Sequence, residues 1–168
     1  HYHPVVQGCL ETLQQGRAFL RSIYNEQYCY LAAPHVASAI GGHFRHLLDV
    51  FYAIYKNQQN IDYNFRRRGH ALEESRTVAL TAIDELIEWL KTIDDDDLMA
   101  PTRVLTEVSL SHAEHCEMTS TLGRELTFAS LHATHHFAMS NVVVSLLDVR
   151  VGSHFGFAPS TISYMRDQ

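Results

Sequence analysis

The sequence predicts an all-α fold, an up-down four-helix bundle with a small β-hairpin insert before the last helix and an irregular C-terminal tail. Three observations lead there. Apolar residues recur at helical spacing over four long stretches. One short stretch, Thr102 to Thr119, alternates instead. The 168 residues are 46% hydrophobic and 19% charged, enough to bury a substantial core, so 1–168 reads as a single domain.

The first helix is expected from Pro4 to about Tyr24, where Val6, Leu10, Leu13, Ala18, Leu20 and Ile23 share a face. Pro4 suits a first turn because its missing N–H is unpaired there in any case. Asn25 to Ala33 reads as an aromatic loop, and Pro34 as the opening of a second helix over roughly His35 to Asn57. Within it Val36, Ile40, His43, Leu47, Val50 and Ile54 alternate steps of four and three, the pattern of a buried stripe. Gln58 to Gly69 is a polar connection ending in Arg66-Arg67-Arg68. A third helix is expected from Ala71 to Ile93. It should stop there because Asp94 to Asp97 would oppose the dipole at a helix C-terminus, and the acidic run reads as a solvated turn.

Val104, Thr106 and Val108 then fall on one parity, Ser111-His112-Ala113 turns the chain, and Cys116 to Thr119 returns. Ser120 or Thr121 caps a fourth helix over about Leu122 to Leu147. From Asp148 the tail is expected to be irregular, with Phe155-Gly156-Phe157-Ala158-Pro159 inside it.

The formal charge of −6 argues against nucleic acid as the main partner, since phosphate binding needs clustered positive charge. No apolar run approaches the roughly 20 residues needed to cross a bilayer, and no signal peptide is evident. Cys9, Cys29 and Cys116 are an odd, scattered set, which reads as reduced thiols in a cytoplasmic protein. A homodimer is compatible with a bundle of this size. Histidine, by contrast, occurs 12 times.

Where the histidines fall is the main clue, His1 and His3 being set aside. His132 and His136 are four apart on the fourth helix. They project about 40° from one another and one turn along, so both imidazoles can converge on one ion. His135 is a poorer partner for either. The second helix offers His43 and His46, and helical phase slightly favours His43 as the third ligand. A tripod from two helices leaves coordination positions open, as catalytic metal sites do. The competing reading is a set of structural histidines in a plain helical interaction module.

The stretches Ile40-Gly41-Gly42-His43-Phe44-Arg45-His46-Leu47-Leu48-Asp49 and Leu131-His132-Ala133-Thr134-His135-His136, with Thr119 to Leu126 between them, resemble motifs of the DinB/YfiT-like superfamily. The resemblance implies a four-helix bundle with a three-histidine metal site at His46, His132 and His136. It favours His46 over His43, which becomes a pocket-lining or supporting residue, or the alternate ligand. Family members of known chemistry are metal-dependent enzymes acting with low-molecular-weight thiols: thiol S-transferases, a mycothiol-dependent isomerase, and the iron-binding helical domain of sulfoxide synthases.

A divalent ion held by three neutral imidazoles keeps its full charge and acidifies bound water or thiol. Metal-bound water or thiolate is therefore the expected reactive group, and zinc, nickel or iron(II) suits the donors. The expected function is a metal-dependent thiol S-transferase or hydrolase acting on a small molecule, with a low-molecular-weight thiol as a candidate cofactor. The alternative is a non-catalytic, stress-associated metal-binding protein. Arg45 and Arg66 to Arg68 are candidates for an anionic substrate group. Tyr28, Tyr30 and Tyr63 could roof a pocket, Asp49 could orient a ligand ring, and Cys116 beside His115 is a weaker nucleophile candidate.

Overall fold

A computed structural model describes residues 1–147 and 152–168. Among these, the chain forms seven α-helices and one three-stranded mixed sheet, so the all-helical bundle expected from periodicity is corrected to a helix-rich fold with a sheet built onto it. The long helices are α1 (Pro4–Ser22), α3 (Ile40–Lys56), α4 (Arg76–Leu90) and α6 (Leu122–Leu146). Short helices α2 (Asn25–Cys29), α5 (Asp95–Met99) and α7 (Pro159–Arg166) join them. None of the described helices is long and apolar enough to cross a membrane.

The sheet runs β1 (Asn60–Asp62), β2 (Pro101–Glu107), β3 (His115–Thr121). β1 lies parallel to β2, with Ile61 opposite Val104. β2 and β3 pair antiparallel, from Pro101 opposite Thr121 to Glu107 opposite His115. Thr102 and Val104 are buried from alternate positions of β2, the period-2 burial of a strand with one covered face. β1 escapes a periodicity reading because its one apolar residue, Ile61, stands alone in a polar run, and three residues are too few to show a period.

Other boundaries move for local reasons. The second long helix begins at Ile40, not at Pro34 or His35. Residues 33–35 form a turn and 37–38 a bend, and the Ala33–Pro34 peptide is cis. The expected third helix is broken into a single 3₁₀ turn, Ala71–Glu73, and α4. The break falls at Ser75, whose hydroxyl accepts from Val78 N–H as an N-cap and so satisfies an amide that a continuous helix would bond internally. The acidic run is a helix start, not a solvated turn. Asp94 accepts from Asp97 N–H at 2.8 Å and Asp97 accepts from Asp94 N–H at 3.1 Å, and carboxylates are favourable at the positive end of α5. The aromatic loop contains α2, with Tyr28 buried and donating its hydroxyl to Leu72 O at 2.6 Å. The tail is not irregular throughout, since α7 follows Pro159. Its expected start at Asp148 lies outside the described residues.

The core sits among the four long helices. Phe44 of α3 meets Phe137 of α6 with ring centroids 5.6 Å apart. Phe19 of α1 stacks near Phe44 at 5.8 Å, and Phe155 from the segment after 152 stacks on Phe19 at 4.2 Å and Phe137 at 4.9 Å. Such offset aromatic contacts add to the free energy of burying the rings. Arg76 ties α4 to the end of α1, donating to the Leu20 carbonyl at 2.9 Å and to that of Ile23, where a cation offsets the negative helix end.

Gly41, in the first turn of α3, is pressed against the backbone carbonyl of Glu73, and a Cβ there would collide with it. Gly41→Ala is expected to destabilise the fold by about 1–3 kcal/mol, the usual cost of overpacking. Gly8→Ala, in open space on α1, is expected to stabilise by about 0.5–1 kcal/mol through helix propensity. Urea denaturation of the two variants checks the contrast.

Candidate metal centre

α3 and α6 pack along the aromatic contact just described, and the histidines flank it in sequence. His43 and His46 lie either side of Phe44, and His136 precedes Phe137. Phe44 and Phe137 turn into the core with no exposure, which leaves the adjacent histidines half-buried at the helix–helix margin.

There the Nε2 atoms of His46, His132 and His136 converge. His132 Nε2 is 3.0 Å from His46 Nε2 and 3.1 Å from His136 Nε2, and ligand atoms from all three lie within 4.8 Å of one another. Nitrogens bound to one ion at about 2.0–2.1 Å stand about 3.0–3.4 Å apart, depending on the bond angle. Hydrogen bonding accounts for this spacing less well. A ring nitrogen has one in-plane lone pair or one N–H, so His132 Nε2 cannot serve two such neighbours with good geometry. One shared cation satisfies all three lone pairs, and the donor set fits a divalent ion such as zinc, nickel or iron(II).

His43 stands behind this group. Its Nδ1 is 2.9 Å from His136 Nδ1. With His136 Nε2 turned to the cluster as a lone pair, its Nδ1–H donates to His43 Nδ1, which fixes the His136 ring as an outer partner fixes a metal ligand. The proton of His43 then sits on Nε2, a buried atom without a partner among the described residues. The helical-phase argument for His43 as third ligand therefore loses to geometry: the ring of His46 meets the pair from α6, and His43 reaches only the far side of His136. His135 is exposed, its ring 5.2 Å from that of His136.

The electrostatics favour neutral rings. Burial lowers the pKa of His136 to about 3, with further lowering from His46, His132, His43 and His135. Burial likewise lowers His46 to about 4, assisted by Arg66, His132 and Arg45. His132 and His43 are also lowered, by burial first and then by His135. Neutral imidazole is the form that offers a lone pair to a metal.

The remaining candidates separate cleanly. Asp49, 1% exposed, orients no imidazole. Its oxygens accept from Arg45 Nη1 at 2.8 Å, Arg67 Nε at 2.6 Å and Arg67 N–H at 3.0 Å. Burial alone would raise its pKa, but these bonds outweigh it and hold the carboxyl below its usual range. Arg45 also donates to Glu73 at 2.9 Å, so Arg45 and Arg67 are committed to structure. Arg68 is exposed. Arg66 turns inward, with Nη1 against His46 Nδ1 and 3.4 Å from His46 Nε2.

Tyr63 donates to Glu125 at 2.8 Å and meets Phe128 edge-on, while Phe128 stacks on His132 at 5.5 Å. Tyr63 therefore supports the wall of the site. Tyr28 is buried in the core and Tyr30 is exposed. Cys116 lies on β3, and the His115 ring is engaged by the Asn64 amide at 2.9 Å, which leaves the pairing of Cys116 with a base unsupported. The sequence reading missed Phe128, although it stands four residues before His132 on the same helix face. It also missed the contact of Arg66 with His46, for which a connecting loop carries no periodic signal.

The chain is similar to FK506-binding protein 5 of Rhizopus delemar, 32% identical over 111 residues, which cover 64% of this chain and 28% of that protein. The chain thus matches little more than a quarter of that relative's length. No protein-family model matches the chain, and no solved structure matches it. These findings overturn the resemblance to the DinB/YfiT-like superfamily. Two imidazoles four apart on one helix and another on a facing helix are what any such cluster needs, so short histidine motifs recur without common descent. The grouping of His46, His132 and His136 stands on geometry alone.

Proposed function

We propose that the chain is a metal-dependent enzyme acting on a small molecule, as a hydrolase or a thiol S-transferase, through a divalent ion held by His46, His132 and His136. The observation that carries this reading is the single ring nitrogen of His132 facing two others at 3.0 and 3.1 Å. Three ligands from two helices leave one side of the ion open. A divalent ion there supplies a positive charge that lowers the pKa of a water or thiol placed on that side. The chain's own residues do the rest: His43 orients His136, Phe128 and Tyr63 wall the centre beside His132, and Asp49 anchors the loop that carries Arg66. The thiol arm now rests on the donor chemistry and no longer on a family.

The name of the Rhizopus relative brings a second reading, binding of FK506. It is supported by the 32% identity and is separable by melting the protein with and without that compound.

Tag-free protein is expected to retain about one divalent ion per chain by elemental analysis and to melt higher after addition of zinc or nickel. Absence of both effects overturns the reading. Incubation of the loaded protein with glutathione or bacillithiol plus an electrophile, and with a panel of simple esters, is expected to give metal-dependent turnover on one arm. Retained metal without turnover on either arm favours a non-catalytic metal-binding protein.

His46→Ala, His132→Ala or His136→Ala is expected to abolish metal retention, whereas His43→Ala is expected to weaken it about 10–100-fold, as loss of an outer partner does. The reverse ranking of His43 and His46 would make His43 the ligand.

Without metal, the cluster also predicts a pH dependence. Its rings stay neutral in the folded chain, while in the unfolded chain they take up protons near pH 6.5. The unfolded state therefore binds more protons as pH falls below about 6.5. The stabilising contribution is complete above that pH and is lost progressively down to about 4 for His46 and about 3 for His136. Melting temperatures in chelator are expected to fall over this range, with a shallower slope for His136→Gln. Equal slopes would show that the rings do not govern the effect.

A further inference from the structure

Arg66 is the one member of the Arg66–Arg68 run whose guanidinium lies on the histidine cluster, and its surroundings leave its charge uncompensated. The two arginines beside it are matched by two carboxylates. Arg45 is held by Asp49 and Glu73, and Arg67 by Asp49, at 2.6–2.9 Å. Arg66 makes no ion pair among the described residues; Asp49 and Glu107 act on it only through their fields. It is half-buried. A guanidinium removed from water with no carboxylate to face is a costly arrangement unless an anion completes it.

Its present neighbour does not complete it once an ion is bound. When Nε2 of His46 faces an ion, the ring proton resides on Nδ1. Nη1 of Arg66 and Nδ1 of His46 are then both donors, and Arg66 has no acceptor on that ring. Its hydrogen bonds become available at the edge of the metal centre.

We propose that Arg66 receives the carboxylate of a small monoanionic substrate whose other end meets the ion held by His46, His132 and His136. This rests on the metal-centre reading above. Arg68 also makes no ion pair among the described residues but is exposed to water, so Arg66 is the one half-buried guanidinium of the group left unmatched, which suits a carboxylate monoanion. The planar fork of guanidinium also matches a carboxylate in geometry. Since the ion frees Arg66 and the carboxylate holds it away from His46, ion and anion bind with mutual reinforcement, each tightening the other by the same factor.

The test uses the 168-residue chain loaded with cobalt(II), whose absorption reports both the ion and a thiol bound to it. The probes are 3-mercaptopropionate and its methyl ester, which differ in the negative charge and one methyl group. The wild-type protein is expected to bind the acid roughly tenfold or more tightly than the ester, the scale of one charge-assisted hydrogen-bonded contact. Cobalt affinity should rise by a similar factor when the acid is present. Arg66→Gln is expected to retain cobalt and ester binding and to erase both the acid preference and the cobalt enhancement. Equal binding of acid and ester by the wild type, or an acid preference that survives in Arg66→Gln, overturns the role of Arg66 and leaves the metal centre standing. Failure of the wild type to give any protein-bound cobalt spectrum overturns the metal centre and this proposal with it.

Discussion

The packing of α3 against α6 is the constraint from which the rest of the molecule follows. Phe44 and Phe137 fill the space between the two helices, and incompressible aromatic packing of this kind fixes the separation of the backbones. The neighbouring histidines have no freedom to choose another distance. Residues 43 and 46 on one helix and 132 and 136 on the other are carried to a common point because Phe44 and Phe137 beside them are buried. Neutral imidazoles at that point are a consequence of partial desolvation, which disfavours the protonated ring. The same packing that stabilises the fold thus prepares a set of lone pairs.

A second layer of order comes from charge. Asp49, three residues after His46 on α3, is buried and takes hydrogen bonds from its own helix through Arg45 and from the connecting loop through Arg67, both side chain and backbone. Arg67 also lies over the face of Tyr52, 4.3 Å from the ring centroid. The connecting loop is anchored by the buried Ile61 and Tyr63 and by Phe65 against Tyr52, and this ion-pair network adds a polar attachment to α3 at its basic end. Polar segments that must be held accurately need such fully satisfied networks, because burial alone gives them no preferred register.

Much of this was legible in the sequence, for identifiable reasons. α1, α3 and α6 announce themselves through apolar residues at steps of three and four, because each buries one face. The hairpin is visible in the parity of Val104 and Thr106. His132 and His136 are visible because helical geometry makes a four-residue spacing meaningful. The failures lie where information is non-local or short. β1 is a strand only because β2 lies beside it. The division of the third helix at Ser75 turns on one side-chain cap. The acidic run is a liability at the end of one helix, yet the same charges stabilise the start of the next. The choice between His43 and His46 depended on how α6 is rotated, which no pattern on α3 alone reveals. The family resemblance failed for a related reason: a few histidines in a helical register describe a geometry more than an ancestry.

Gly156 adopts φ +86°, and its Cα faces the backbone of Ala138, two residues past His136 on α6. Just before it, Phe155 inserts between Phe19 and Phe137. The segment therefore bears on α6 one half-turn beyond the imidazoles, close enough that a Cβ at 156 would meet the backbone of Ala138. A side chain of any size at position 156 would push on that helix and be felt as a change in the spacing of nitrogens it never touches.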